Sequence, residues 1–208
     1  MGRKCTQTYI EVDPCAPSAT SLVDVVDNNI DYSKSNIDRQ NTNEFILKCT
    51  EGKGKSKMCS ASLEERQKLT EKVTVKIRVQ PNSTDGVFVD VRVNKYIKDS
   101  VKSIFKQIFD TVPEYYFING KGSIHDFRET IGTGAKESAH LIGLGLDFNG
   151  NHNPYMPRDK HDCYKDGKCS IPDIIHMRND NHPVVKIFKN HGWRWGGSFE
   201  DYMHFDTY

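Results

Sequence analysis

The sequence predicts an α+β fold with a small antiparallel sheet, packed helices and a functional site carried on loops. Three observations predict it. Lys72 to Gln80 and Val87 to Val93 each alternate apolar and polar residues, the period-2 signature of strands with one buried face. Ile97, Val101, Ile104, Phe105 and Ile108 recur at three- and four-residue spacing, which is one apolar stripe of a helix. Beyond Pro113 the chain turns rich in glycine, histidine and aromatics, a composition of loops on a scaffold.

The elements follow in order along the chain. Residues 1–70 are polar and poorly periodic, with short apolar islands at Leu22–Val26 and Phe45–Leu47. They read as an N-terminal arm or small docking module ahead of a second region, 71–208. In that region Val73, Val75, Ile77 and Val79 alternate against Thr74, Lys76, Arg78 and Gln80, and VFVDVRV repeats the pattern after a Pro81-to-Gly86 turn, giving a β-hairpin. The amphipathic helix over YIKDSVKSIFKQIFD then packs on the hairpin and ends before Pro113. A short helix is expected over Pro183–Asn190, whose Val184, Val185, Ile187 and Phe188 are apolar.

Composition excludes several functions. With 29 Lys+Arg against 28 Asp+Glu the chain lacks the positive field of a protein that binds nucleic acid through phosphates, so no nucleic-acid partner is expected. No run of about 18 apolar residues is present to span a membrane. The opening MGRKCTQTYIEVDPC lacks the roughly 7–15-residue apolar core of a secretory signal, so synthesis in the cytoplasm without Sec export is expected.

The unusual part of the composition is 8 His and 6 Cys, which makes metal chemistry or disulfides the first questions. The cysteines form local pairs, Cys5/Cys15, Cys49/Cys59 and Cys163/Cys169, none with C-x-x-C spacing. Asp166-Gly167 could fold Cys163 opposite Cys169, while free thiols suit a reducing cytosol equally well. The histidines are the better lead. In SAHLIGLGLDFN, Gly143 and Gly145 argue against a helix, so His140 falls at the mouth of a short strand with Asp147 pointing inward. In GWRWGGSFEDYMHFD, Asp201 and His204 stand three positions apart. A catalytic zinc needs three protein ligands and an open position. His140, Asp147 and His204 would fill that set, leaving Asp201 as a carboxylate to take a proton from water. By spacing alone, ordinary surface or core histidines explain these residues at least as well.

The same residues carry a resemblance. Ser138-Ala-His140-Leu-Ile-Gly143-Leu-Gly145-Leu-Asp147 resembles the S-x-H-x-x-G-x-A/G-x-D motif of the zinc D-alanyl-D-alanine carboxypeptidases (VanY-like), a family that includes D,D-dipeptidases and L-alanyl-D-glutamate endolysins. Gly192-Trp193-Arg194-Trp195-Gly196-Gly197, followed by Asp201 and by His204-Phe205, is similar to the family's closing segment. Asn149 to Tyr155 and Arg128, twelve residues before His140, are similar to features of a subgroup common in phages. The resemblance runs from about Lys72 to Tyr208 in the right order. It departs from many relatives at Gly145, where they carry Ala.

The resemblance implies a Hedgehog/D,D-peptidase-like fold and Zn2+ held by His140, Asp147 and His204. Asp201 would act as general base and Arg128 would stabilise an oxyanion or grip a substrate carboxylate. Ser138 would contact substrate or buttress the His140 loop, and Trp195 and Trp193 would line the cleft or fill the core. His125, His152, His161, His176, His182 and His191 have no motif role, and Met156 to Asn181 reads as a loop excursion over the site. The implied substrate is the stem peptide of bacterial peptidoglycan, cut by a D-alanyl-D-alanine carboxypeptidase or an L-alanyl-D-glutamate endopeptidase. The subgroup points to a phage endolysin or tail-associated wall hydrolase, with residues 1–70 docking to phage tail or baseplate proteins. The rival expectations are a non-catalytic zinc module of the Hedgehog kind and a virion structural protein with a vestigial peptidase domain.

Overall fold

The computed structural model describes residues 62–128, 138–153, 155 and 172–207, all within one compact unit, Asp31–Tyr208. The six cysteines, His161 and residues 1–61 lie outside the described residues, and so do the disulfide expectation and most of the arm.

The fold is α+β, as the sequence pattern predicts. Helix α1 (Leu63–Lys68) opens it with a capping box. The Ser62 hydroxyl accepts from the Glu65 N–H, and the Ser62 N–H donates to the Glu65 carboxylate. Strands β1 (Thr70–Ile77) and β2 (Val87–Asn94) pair antiparallel in a register that sets Val73 opposite Val91 and Thr70 opposite Asn94. The alternation does what it predicts over β1, where Val73, Val75 and Ile77 are buried. The strand stops at Ile77, short of Gln80, and just beyond it Arg78 turns its guanidinium over the Phe109 ring and donates from Nε to the Ser83 carbonyl.

Helix α2 (Lys98–Thr111) lies on β1 and buries Val101, Ile104, Phe105 and Ile108. Of the second sheet, only the short strand that carries Asp147 was legible in the sequence. The sheet contains β3 (Ile124–His125), β4 (Gly145–Phe148), β5 (Arg194–Trp195) and β6 (His204–Asp206), all antiparallel, in the order β3-β4-β6-β5. Strands of two to four residues carry no readable period, and β4 is buried on both faces. Helix α3 (Pro183–Asn190) packs beside α2 and β5.

An aromatic cluster joins these layers. Phe148 of β4 meets Phe105, Phe117, Phe188 and Phe205 with ring centroids 5.0–5.8 Å apart, and Phe188 stacks on Phe205 at 3.9 Å. The indole N–H of buried Trp193 donates to Ser100 of α2. The end of the segment read as a loop excursion returns to this core, where Ile175 and Met177 are buried. Among the described residues no helix is long and apolar enough to cross a membrane.

Candidate metal centre

The site forms where β4 and β6 run side by side. Their register sets Asp147 directly opposite His204, so the two side chains share a face of the sheet. His140 reaches them from a 3-10 turn, Ala139–Ile142, that leads into β4. Ser138 caps this turn, its hydroxyl accepting from the His140 N–H at 3.3 Å. Asn94, at the end of β2, ties the turn to the hairpin. Its backbone N–H donates to the Gly143 carbonyl and its side-chain amide to the Ile142 carbonyl. Gly143 is left-handed (φ +69°), and a Cβ there would stand 2.6 Å from the Asn94 nitrogen, so only glycine fits. At Gly145 a Cβ would lie 3.1 Å from the His204 ring and 2.9 Å from the Ala139 methyl group.

Three lone-pair donors converge there. His140 Nε2 lies 2.9 Å from Asp147 Oδ1, His204 Nδ1 lies 2.8 Å from the same oxygen, and the two imidazole nitrogens are 3.2 Å apart. All three residues are buried. Tetrahedral coordination at 2.0–2.1 Å would set ligand atoms about 3.3 Å apart, so this triangle needs to open by only a few tenths of an ångström. The opposite nitrogen of each histidine is committed elsewhere. His140 Nδ1–H donates to the Asp126 carbonyl at 2.9 Å, and His204 Nε2–H donates to Asp206 Oδ2 at 3.1 Å. With the outer nitrogens protonated, the inner ones can present lone pairs, and a cation satisfies all three groups at once. The donor set, two imidazoles and a carboxylate, suits zinc.

The electrostatics agree with a cation site. Burial pushes the Asp147 carboxyl up, but hydrogen bonds from His140 and His204 and their charge hold it well below the usual carboxylate range. Burial works against protonation of His204, yet its hydrogen bonds to Asp147 and Asp206 raise it to about 9. A metal ion would displace that proton.

Asp201 and Arg128 border the triad. The 3-10 turn Gly196–Phe199 and its bend bring Asp201 back, so that the Asp201 N–H donates to Gly196 and the His204 N–H to Asp201. Asp201 Oδ1 is buried with no hydrogen-bond partner among the described residues. Burial pushes its carboxyl up to about 6, despite the pull of His204, His140 and Arg128. A buried carboxylate oxygen aimed at nothing costs stability and belongs where a substrate or water will meet it. Arg128 donates from Nη2 to Asp147 Oδ2 at 2.7 Å, and its backbone N–H donates to the His140 carbonyl.

The other residues singled out in the sequence have clear places. Trp195 is buried, donates its indole N–H to the Tyr202 carbonyl, and lies against Gly197, where a Cβ would strike its ring. It holds the loop that carries Asp201. Asn149 and Asn153 are structural ties. Asn149 bonds Tyr115, Tyr116 and Ile118, and Asn153 bonds Ile175 and Met177. Tyr155, 67 % exposed, pairs by backbone with Asp201 at the rim. His182 caps α3, and His191 bonds Gln107 of α2. His125 reaches the edge of the site, 3.9 Å from Asp147 Oδ2.

Sequence reasoning missed Asp206, Arg194 and the Asp126 carbonyl. Asp206 had a signal, since it stands two residues beyond His204 and therefore on the same strand face. The Arg194 pairing and the carbonyl contact had none.

No curated protein and no solved structure matches the chain. Residues 132–207, which contain His140, Asp147, Asp201 and His204 but not Arg128, match the family model of D-alanyl-D-alanine carboxypeptidase.

Proposed function

We propose that this protein is a zinc-dependent peptidase that hydrolyses a stem-peptide amide bond of bacterial peptidoglycan. One observation carries the reading: His140 Nε2, Asp147 Oδ1 and His204 Nδ1 converge within the electrostatic reach of Asp201, whose buried Oδ1 has no hydrogen-bond partner among the described residues. The family match over residues 132–207 supports the same class of enzyme.

When bound by His140, Asp147 and His204, Zn2+ would polarise the scissile carbonyl and lower the pKa of water towards ~7. Asp201 accepts the proton of the attacking water and passes it to the leaving amine nitrogen. Burial raises the proton affinity of this carboxyl, which favours its part as proton acceptor. Arg128 braces Asp147 through Nη2 and offers its remaining N–H groups to the developing oxyanion or to a substrate carboxylate. Ser138 and Trp195 are proposed as substrate contacts in addition to their roles in the fold.

The resemblance at Arg128 and at Asn153 to Tyr155 favours a phage endolysin or a tail-associated wall hydrolase. In that setting residues 1–70 would form the docking arm, with α1 as its anchor: Arg66 donates to the Leu141 carbonyl in the His140 turn at 3.2 Å.

The test is digestion of purified cell walls with and without a chelator, with mass spectrometry of the released muropeptides. Chelator-sensitive release of cut stem peptides is expected, and the fragment masses identify the bond. Asp201→Ala should keep zinc and lose activity by ~10²–10⁴-fold, whereas His204→Ala should lose both. Full activity in Asp201→Ala would remove it as the base, and a wild-type protein that binds zinc without cutting walls would favour a non-catalytic module.

A further inference from the structure

His204 is the one ligand whose outer nitrogen rests on a charged group. Asp206 is buried, and both of its oxygens are occupied: Oδ1 accepts from Arg194 Nε at 3.0 Å, and Oδ2 accepts from Arg194 Nη2 at 2.6 Å and from His204 Nε2 at 3.1 Å. The arrangement is built by register. Arg194 stands directly across from Asp206 between β5 and β6, and Asp206 shares a strand face with His204. The bidentate fork fixes the carboxylate plane, and with it the direction from which His204 is held. His140, by contrast, gives its outer N–H to a neutral carbonyl.

We propose that Asp206, clamped by Arg194, is the positioning pair of the metal centre. It keeps the proton of His204 on Nε2, so that Nδ1 faces Asp147 and His140, and it makes His204 the more strongly donating imidazole of the two. The two residues act through His204 and do not touch the substrate. Arg194, at the rim with its side chain half exposed, makes the tightness of the centre depend on a residue outside the ligand set.

This rests on the metal site of the proposed function, and its test reads metal affinity apart from hydrolysis. The Zn2+ dissociation constant of the full chain is measured by competition with a chromophoric chelator, and the Co2+-loaded protein is examined by its visible absorption. Asp206→Asn is expected to weaken Zn2+ about 10–100-fold and to alter the Co2+ spectrum. Arg194→Gln should weaken it in the same direction. The double variant should be no weaker than Asp206→Asn alone, since the proposal has Arg194 act on His204 through Asp206. If Asp206→Asn does not fold, Arg194→Gln still decides the matter because its side chain is half exposed. Affinity within threefold of wild type in either folded variant, or losses that multiply in the double variant, overturns the proposal. A wild-type protein that takes up no Zn2+ ends both readings. Weakened variants of a protein that cuts no cell wall would leave this inference standing and end only the peptidase.

Discussion

Gly143→Ala tests how the hairpin fixes the candidate metal centre. Gly143 closes the turn that carries His140, at φ +69°, with Asn94 of β2 packed against its Cα. An alanine there costs roughly 1–2 kcal/mol for the left-handed backbone. Its Cβ would stand 2.6 Å from the Asn94 nitrogen and 3.0 Å from the Val93 carbonyl carbon. Both are backbone atoms of a paired strand, so the turn must move and lose the 2.8 Å bond from the Asn94 N–H to the Gly143 carbonyl. That bond is worth about 1 kcal/mol, for a total of about 2–3 kcal/mol. At 2–4 °C per kcal/mol for a unit of this size, the melting temperature should fall by about 4–12 °C. Zinc affinity should fall with it, because His140 moves with the turn. Gly143→Asn separates the two causes. Asparagine tolerates the left-handed backbone but still brings a Cβ, so it should recover only part of the loss. Thermal unfolding followed by circular dichroism, with chelator competition for zinc, provides the assay. Melting within about 2 °C of wild type and unchanged zinc binding in Gly143→Ala would refute the clamp.

Three further outcomes are expected. Gly145→Ala, the residue many relatives carry, should cost about 1–3 kcal/mol here and weaken zinc, because the Ala139 methyl and the His204 ring already occupy the space; calorimetric unfolding and zinc titration check this. Phe148→Ala should cost about 3–5 kcal/mol in urea unfolding, since its ring joins four other aromatics, among them Phe105 of α2, Phe188 of α3 and Phe205 of β6. The third concerns pH. Burial holds the pKa of His182 below its usual value, and its neutral form caps α3 through Nδ1 while Nε2–H donates to the Ile174 carbonyl. A depressed folded pKa means that the unfolded chain binds the proton first, so this contribution is complete above about pH 6.5 and is lost as pH falls through it. Wild type should therefore lose more urea stability between pH 7.5 and 5.5 than His182→Asn, which can still cap; equal losses would show that His182 does not carry the difference.

The hairpin, α2 and α3 were legible in the sequence, which also singled out His140, Asp147, Asp201 and His204 as candidate site residues. The strands and helices were legible because eight to fourteen residues give several turns of a 2.0 or 3.6 period. The four candidate residues stood out through their place in two spaced motifs, since their spacing alone does not separate candidate ligands from ordinary histidines. How they meet depends on the fold. Residues 64 apart, His140 and His204, come within 3.2 Å only because β4 and β6 pair in one register and Asn94 holds the turn beside them. The same register puts Arg194 across from Asp206 and so supports His204, in strands too short to leave a pattern. Local sequence fixes a period, but the contacts between periods depend on strand register and close packing, which no stretch of sequence contains.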